Sequence, residues 1–282
     1  MQAVNMPTRP LLRYHGGKWK CGEWIASHFP AHKVYVEPFG GGASVLLQKC
    51  RSYAEIYNDL DDDVVNLFRV LQVEDHSRRL VEKLYLTLFS REEFLLAYES
   101  TDCPVERARR LIIRSFMGFS GGVNADSPTG FRGKSLRTGC PPAMNWRNYP
   151  DCLRFIVERL RGVCVENRDA FDLIPHMDTE DTLFYVDPPY LPDTRVKYGA
   201  YRYELTYDDH IKLAALLRDL KGMVVLSGYA SDLYDSLYDG WERDEKQVHS
   251  DGGSRIECLW LSPATMVGIQ QGMRLFADER GC

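Results

Sequence analysis

The chain has 282 residues, 44% hydrophobic and 27% charged, and a formal net charge of −5. That length holds one large domain, or one plus an insertion, and the chain has no repeat and no low-complexity segment. No apolar run nears the length of a membrane span, and the first residues, MQAVNMPTRPLLRYHGGK, lack the apolar core of a signal peptide, so a cytoplasmic protein is expected. The eight cysteines include no CxxC pair, which points to reduced thiols rather than a zinc site.

Charge is unevenly spread. Residues 105–161 hold 11 Lys and Arg against 4 Asp and Glu, a local +7, while the remainder carries −12. One basic segment in an acidic chain suits an element facing nucleic acid. The plainer reading is that arginines decorate a helix, and Arg107, Arg109, Arg110 and Arg114 do fall on a helical pattern.

In chain order, Val34-Tyr35-Val36 reads as a first buried strand. It runs into Glu37-Pro38-Phe39-Gly40-Gly41-Gly42 and an apolar helix start at Val45-Leu46-Leu47. Strand, glycine turn and helix form the nucleotide-binding arrangement of doubly wound sheets, though the turn lacks GxGxxG spacing and does not argue for NAD. The next strand, Ala54–Tyr57, ends at Asn58-Asp59. Asp59 lies about 20 residues past the glycines, where an acid can accept from both ribose hydroxyls. Asp61, Asp62 and Asp63 compete for that role, but acids are common in the first turn of a helix. Residues 64–115 read as helical, with a capping pattern at Ser90 and Glu93.

The stretch 118–142 is rich in glycine and proline and too long for a passive connector. It reads as a mobile or hairpin loop carrying Asn124, Arg132, Lys134 and Arg137, residue types suited to phosphates and base edges. A helix near 150–161 and a strand at 163–167 follow. Asp169 and Phe171 sit at that strand's tip; they suit an adenine ring, and Asp169 also suits the N-cap of a helix over 170–176. Next come the strand Thr182–Val186, a loop over 191–206, a helix over 207–220, the strand 223–227, a helix near 231–239 and a β region around 245–261. Alternating β and α elements imply a largely parallel, three-layer sandwich.

Asp187-Pro188-Pro189-Tyr190 ends the strand Thr182–Val186. The exocyclic amine of a nucleobase is a poor nucleophile, because its lone pair is delocalised into the ring. Asp187 can accept one N–H of such an amine, and a backbone carbonyl, that of Pro188, the other. Proline fixes φ and makes the turn rigid. Tyr190 offers a stacking face. The four residues therefore suit methyl transfer to that amine through positioning and aimed dipoles. An ordinary Pro-Pro turn with a surface tyrosine is the competing reading.

RYHGGK (13–18), VEPFGGGASVLL (36–47) and DPPY (187–190), in this order, resemble the motifs of Dam-type DNA adenine-N6 methyltransferases, particularly those common in bacteriophages. YNDLDDDVVNLF (57–68), NRDAFDLI (167–174) and RIECLWLSP (255–263) add to the likeness, which covers nearly the whole chain. The resemblance implies a Rossmann-like, class I methyltransferase sheet of seven strands. Residues 1–63 and 162–282 would form the catalytic domain, and 64–161 an inserted, mainly helical DNA-recognition domain.

The resemblance further implies S-adenosylmethionine as methyl donor, S-adenosylhomocysteine as product and no metal. Tyr14 and Lys18 would touch the cofactor, Lys18 pairing with its carboxylate or lying beside it. Glu37, Pro38, Phe39, Gly40 and Gly41 would line its methionine end. Asp59 would hold the ribose, Asp169 and Phe171 the adenine, and Asp187 would stand between cofactor and target base. Arg114, Asn124, Arg132, Lys134 and Arg137 are the candidate DNA contacts. The expected partner is double-stranded DNA, with the protein a monomer or weak dimer and a restriction-modification role in view. Residues 118–137 do not match the recognition hairpin of GATC-methylating members, so that target is not carried over. Cytosine-N4 methylation fits less well, since those enzymes usually carry serine at the position of Asp187. RNA adenine methylation and a silent DNA-binding relic are the remaining alternatives. His15 and Cys258 receive no role beyond a core thiol at Cys258.

Overall fold

The computed structural model describes residues 6–119, 128–133, 140–194, 201–250 and 253–278. The uncharged, β-branched and aromatic run before DPPY forms strand β4 (Thr182–Val186), buried at every position. It pairs in parallel with β1 (Val34–Glu37) on one side and β5 (Met223–Gly228) on the other. Beyond β1 lie β2 (Ala54–Asn58) and β3 (Val163–Glu166), also parallel. Beyond β5 the single β region expected around 245–261 is a hairpin of β6 (Glu242–Ser250) and β7 (Gly253–Leu261), with β7 antiparallel to β5. The sheet order is β3-β2-β1-β4-β5-β7-β6. This is the expected doubly wound, Rossmann-like methyltransferase sheet. Its strand order reverses between β1 and β4, and ligands of such sheets sit at the carboxyl ends of the strands flanking the reversal.

Side chains alternate across the central strands. Tyr35, Leu183, Tyr185, Val225, Leu259 and Leu261 face one apolar layer. Val36, Phe184, Val186, Val224, Leu226 and Trp260 face the other. Burial on both faces explains why these strands read as continuous apolar runs rather than alternating ones. The second face is covered by α8 (Ala170–His176), α9 (Tyr207–Arg218) and α10 (Asp232–Leu237), through Leu173, Leu213, Leu217 and Tyr234. A further helix, α11 (Pro263–Asp278), packs Ala264, Met266 and Ile269 against the first-face cluster. It was not expected from the sequence, and neither were the short helices α1 (Gly22–Ala26) and α6 (Pro142–Arg147).

The expected helical stretch after β2 comprises α2 (Asp62–Gln72), α3 (Glu74–Leu86), α4 (Arg91–Leu96) and α5 (Pro104–Met117), followed by α6 and by α7 (Pro150–Leu160). Ser90 caps α4 by accepting from the Glu93 amide at 3.1 Å. The apolar cluster runs unbroken from Leu67, Phe68, Leu111 and Leu153 of these helices to Tyr35 and Tyr57 of the sheet. A buried ion cluster adds a polar tie: Arg159 of α7 and Lys49 each lie 2.6 Å from the Glu55 carboxylate of β2.

One element differs from expectation. The helix predicted to start at Val45 is a run of turns. The Gln48 side chain donates to the Ser44 carbonyl at 2.8 Å, and the Gln48 amide goes to the Val45 carbonyl at 3.0 Å instead. A side chain has taken the acceptor that the helical ladder needs.

Candidate active site

At the reversal point the turns after β1, β2, β3 and β4 line a cavity of about 330 Å³, with the RYHGGK segment and residues 201–205 completing its wall. Such a volume suits a small-molecule ligand. Every residue expected to bind the cofactor lines it: Tyr14, Lys18, Glu37, Pro38, Phe39, Gly40, Gly41, Asp59, Asp169, Phe171 and Asp187.

The glycine turn is shaped by close approach. A Cβ at Gly40 would stand 2.1 Å from the Tyr57 ring. Gly41 has φ +49°, and its amide donates to Asp59 Oδ2 at 2.7 Å. The Tyr57 hydroxyl donates to the Gly41 carbonyl at 2.7 Å. Asn58, fully buried, donates from its side chain to the carbonyls of Pro38 at 2.8 Å and Arg168 at 3.0 Å. It thereby ties the β1 turn to the β3 turn; the sequence reading assigned it no role.

The wall is acidic. Burial pushes Glu37 up to about 8, although its carboxylate accepts from the Tyr35 hydroxyl at 3.0 Å and the Leu46 amide at 3.2 Å. Burial likewise raises Asp59 to about 6 against its backbone donors, Asp61, Gly41 and Leu60. Asp61 caps α2, as helix-start acids do, and also lines the cavity. Asp169 caps α8 by accepting from the Phe171 amide at 2.8 Å. Both roles weighed for Asp169 are therefore compatible with its position.

At the other end, Lys18 Nζ lies 2.9 Å from Asp187 Oδ1 and 3.5 Å from Glu257 Oε1, and donates to the Gly16 carbonyl at 2.8 Å. Burial opposes its charge, but the two carboxylates outweigh burial and hold the ammonium above lysine's usual range. Three protein oxygens thus lie within 3.5 Å of it. Burial raises the Asp187 carboxyl, with Lys18 pulling the other way. Asp187 Oδ1 is buried and meets Lys18 Nζ at 2.9 Å, and the Tyr190 hydroxyl also bears on the carboxylate.

Pro189 lines the cavity beside Asp187, whereas Pro188 and Tyr190 do not. Tyr190 is only 5% exposed, not a surface tyrosine. Its hydroxyl donates to Glu257, its ring meets Tyr229 edge-on, and Lys18 Nζ sits 4.6 Å from the ring centre. The stacking face expected of it is therefore occupied on one side by the ammonium.

Residues 201–205 were read only as loop. Arg202 reaches from the cavity wall to Asp61 at 2.8 Å and Asp63 at 3.3 Å. The Tyr201 ring meets His15 edge-on at 5.4 Å. The arginines of α5 are largely engaged internally: Arg107 with Asp62 and Asp63, Arg109 with Glu93 and Glu106, Arg110 with Glu106. Arg114, a candidate DNA contact, is partly buried. It donates to the Ala97 carbonyl at 3.1 Å, lies 3.5 Å from Asp63 and stands over the Tyr98 ring. These four lie on α5, as their helical pattern implied, and each has an acidic partner within the chain. Arg132 is buried, and its amide donates to the Met117 carbonyl at 2.7 Å beside a bridge between Gly118 and Phe131 that closes the base of the loop. Asn124, Lys134 and Arg137 lie outside the described residues. Among the described residues there is no cluster of His, Cys, Asp and Glu set to hold a metal ion, and no helix long and apolar enough to cross a membrane.

Residues 14–251 match the model of the D12 class N6 adenine-specific DNA methyltransferases. The chain belongs to this family. The protein is thus a DNA adenine methyltransferase. It is 26% identical over 266 residues to a protein named Type II methyltransferase M.MjaIII from Methanocaldococcus jannaschii, covering 84% of this chain and 90% of that one. A DNA adenine methylase of Vibrio cholerae is 24% identical over 220 residues, covering 73% and 74%. Among solved structures, a putative methyltransferase yhhF from Escherichia coli aligns with a TM-score of 0.34 at 11% identity, over 86% of this chain and 82% of that one.

Proposed function

We propose that the methyltransferase moves a methyl group from S-adenosylmethionine to N6 of one adenine, extruded from duplex DNA at a specific site. One observation carries this reading: the Asp187 carboxylate, at the carboxyl end of β4, lines the same cavity as the glycine turn and Asp59. The donor set fits the cofactor. Glu37, Asp59 and Asp187 favour a ligand bearing positive charge, and Gly40 and Gly41 bring backbone against it.

In this reading Glu37 faces the amino group of the methionine end, Asp59 the ribose hydroxyls, and Asp169 with Phe171 the adenine. Lys18 lies beside the carboxylate and orients Asp187. When bound, S-adenosylmethionine supplies an electrophilic methyl group on a sulfonium. The target base must leave the stack, because its amine cannot reach that methyl within the duplex. Asp187 accepts one N6–H and the Pro188 carbonyl the other, which draws the nitrogen toward tetrahedral geometry and frees its lone pair. Asp187 then passes the surplus proton to solvent. Tyr190 forms the back wall of the base site, with its hydroxyl held by Glu257. Residues 64–161 carry DNA recognition, with Asn124, Arg132, Lys134 and Arg137 as candidate contacts. Arg114 is better placed to brace that segment. The reaction belongs where DNA is, in the cytoplasm of a bacterium or of a phage-infected cell.

The test is single-molecule modification sequencing of plasmid from a methylation-deficient bacterial host expressing the chain, beside an Asp187→Ala control. N6-methyladenine in one recurring motif, absent from the control, is expected. Unmodified plasmid from cells holding soluble protein would overturn the reading.

A further inference from the structure

Strand β7 carries one buried acid in an apolar stretch. Glu257 is 7% exposed and lies on the face shared by Leu259 and Leu261. It does not line the cavity, yet it meets both neighbours of the reacting carboxylate: it accepts the Tyr190 hydroxyl and lies 3.5 Å from Lys18 Nζ. An ionisable group buried in a strand paired on both sides costs solvation that a leucine there would not. Packing alone gives no reason for it.

We propose that Glu257 is a positioning residue for methyl transfer: it fixes the Tyr190 ring through its hydroxyl and takes a share of the Lys18 ammonium, leaving Asp187 a stronger acceptor for the N6–H. This inference rests on the role given to Asp187 above. Lys18 paired with Asp187 alone would hold that carboxylate's charge and weaken it as an acceptor. With Glu257 also ionised, the three groups carry a net charge of −1. Positive charge gathering on N6 during transfer then meets an excess of negative charge.

The charged and titratable groups around Asp187 come from several elements. Lys18 and Cys21 come from the N-terminal segment, Glu37 from β1, Tyr185 from β4, Tyr190 from the turn itself and Glu257 from β7. Tyr201 faces Lys18, and Lys246 of β6 stands opposite Glu257 in the hairpin register. Glu257 and Asp187 itself both reach Lys18 and Tyr190, so Glu257 shares the two partners of the reacting carboxylate.

The experiment uses a duplex carrying the recurring motif found by sequencing and follows wild type, Glu257→Gln, Glu257→Asp, Tyr190→Phe and Asp187→Ala across the pH range. Glu257→Gln keeps an acceptor for Tyr190 but loses the charge. Its kcat is expected to fall at least about tenfold with little change in KM for DNA, and the acidic limb of its pH profile to move to lower pH. Glu257→Asp restores the limb. Tyr190→Phe lowers kcat without moving it.

Two readouts need no turnover. Carbon-13 titration of labelled aspartates, with Asp187→Ala identifying the resonance, should show the Asp187 pKa lower in Glu257→Gln than in wild type. Calorimetric affinity for S-adenosylhomocysteine should be unchanged. A wild-type pH profile in Glu257→Gln, or a loss that follows only its melting temperature, would overturn the proposal. Should Glu257→Gln fail to fold, a wild-type kcat in Tyr190→Phe or a displaced acidic limb in Glu257→Asp would overturn it as well. An inactive wild type or an active Asp187→Ala would instead sink the role of Asp187 itself.

Discussion

Asp187 lines the cavity with its carboxylate held by Lys18 at 2.9 Å. Replacing it with alanine should lower turnover by about 10² to 10³, the usual cost of losing one aimed polar group in a reacting site. S-adenosylhomocysteine should still bind, which calorimetry would check. Glu37 offers a second test at this scale. Burial lifts it to about 8 from an ordinary value near 4.5. A raised carboxyl holds its proton in the folded state, so its contribution to stability is present below about pH 4.5 and is lost as pH rises through about 8. Glu37→Gln should flatten that decline in the unliganded protein, as followed by urea unfolding. A ligand ammonium against Glu37 favours the ionised form. Affinity for S-adenosylhomocysteine should therefore rise between pH 6 and pH 8 in wild type but not in Glu37→Gln.

Elements set the cavity by how closely their turns approach. Gly40 leaves no room for a Cβ beside Tyr57, and Gly41 sits in the left-handed region. Gly40→Ala should displace the turn and weaken S-adenosylhomocysteine binding by at least tenfold, about 1.4 kcal/mol. An unchanged affinity would show that the ligand does not rest on this turn. Arg202 joins residues 201–205 to the start of α2 through Asp61 and Asp63. Arg202→Ala should raise KM for the cofactor more than it lowers kcat, as steady-state kinetics would reveal. The glycine turn was legible because glycine is demanded by geometry, and Asp59 because it ends a strand at a telling distance. Arg202 was not legible, since its partners lie about 140 residues earlier and no local pattern marks a loop arginine that folds back.

For the molecule as a whole, the strands and most helices were legible because both sheet faces are covered and apolar runs end in turn residues. Part of the +7 of residues 105–161 goes into internal ion pairs. Most arginines of α5 answer acids nearby, and Arg159 answers Glu55 on the sheet. Net charge along a sequence cannot separate a solvated face from a buried pair. The Glu55 cluster is almost fully enclosed, so removing one partner strands a charge. Arg159→Ala should cost about 3–5 kcal/mol in chemical denaturation. Glu257 was overlooked for a related reason: an acid inside RIECLWLSP looks like a solvent-facing residue until the register of β7 turns it inward.

Lys18, Asp187 and Glu257 meet within a few ångströms, yet they come from near the start, past the middle and near the end of the chain. Synthesis proceeds at about 5–20 residues per second, so the lysine waits many seconds for the last of these partners to leave the ribosome. Until then it is a cation without its second acid, in a sheet whose seventh strand has not arrived. On the role proposed for Glu257, full competence arrives only when β7 docks against β5.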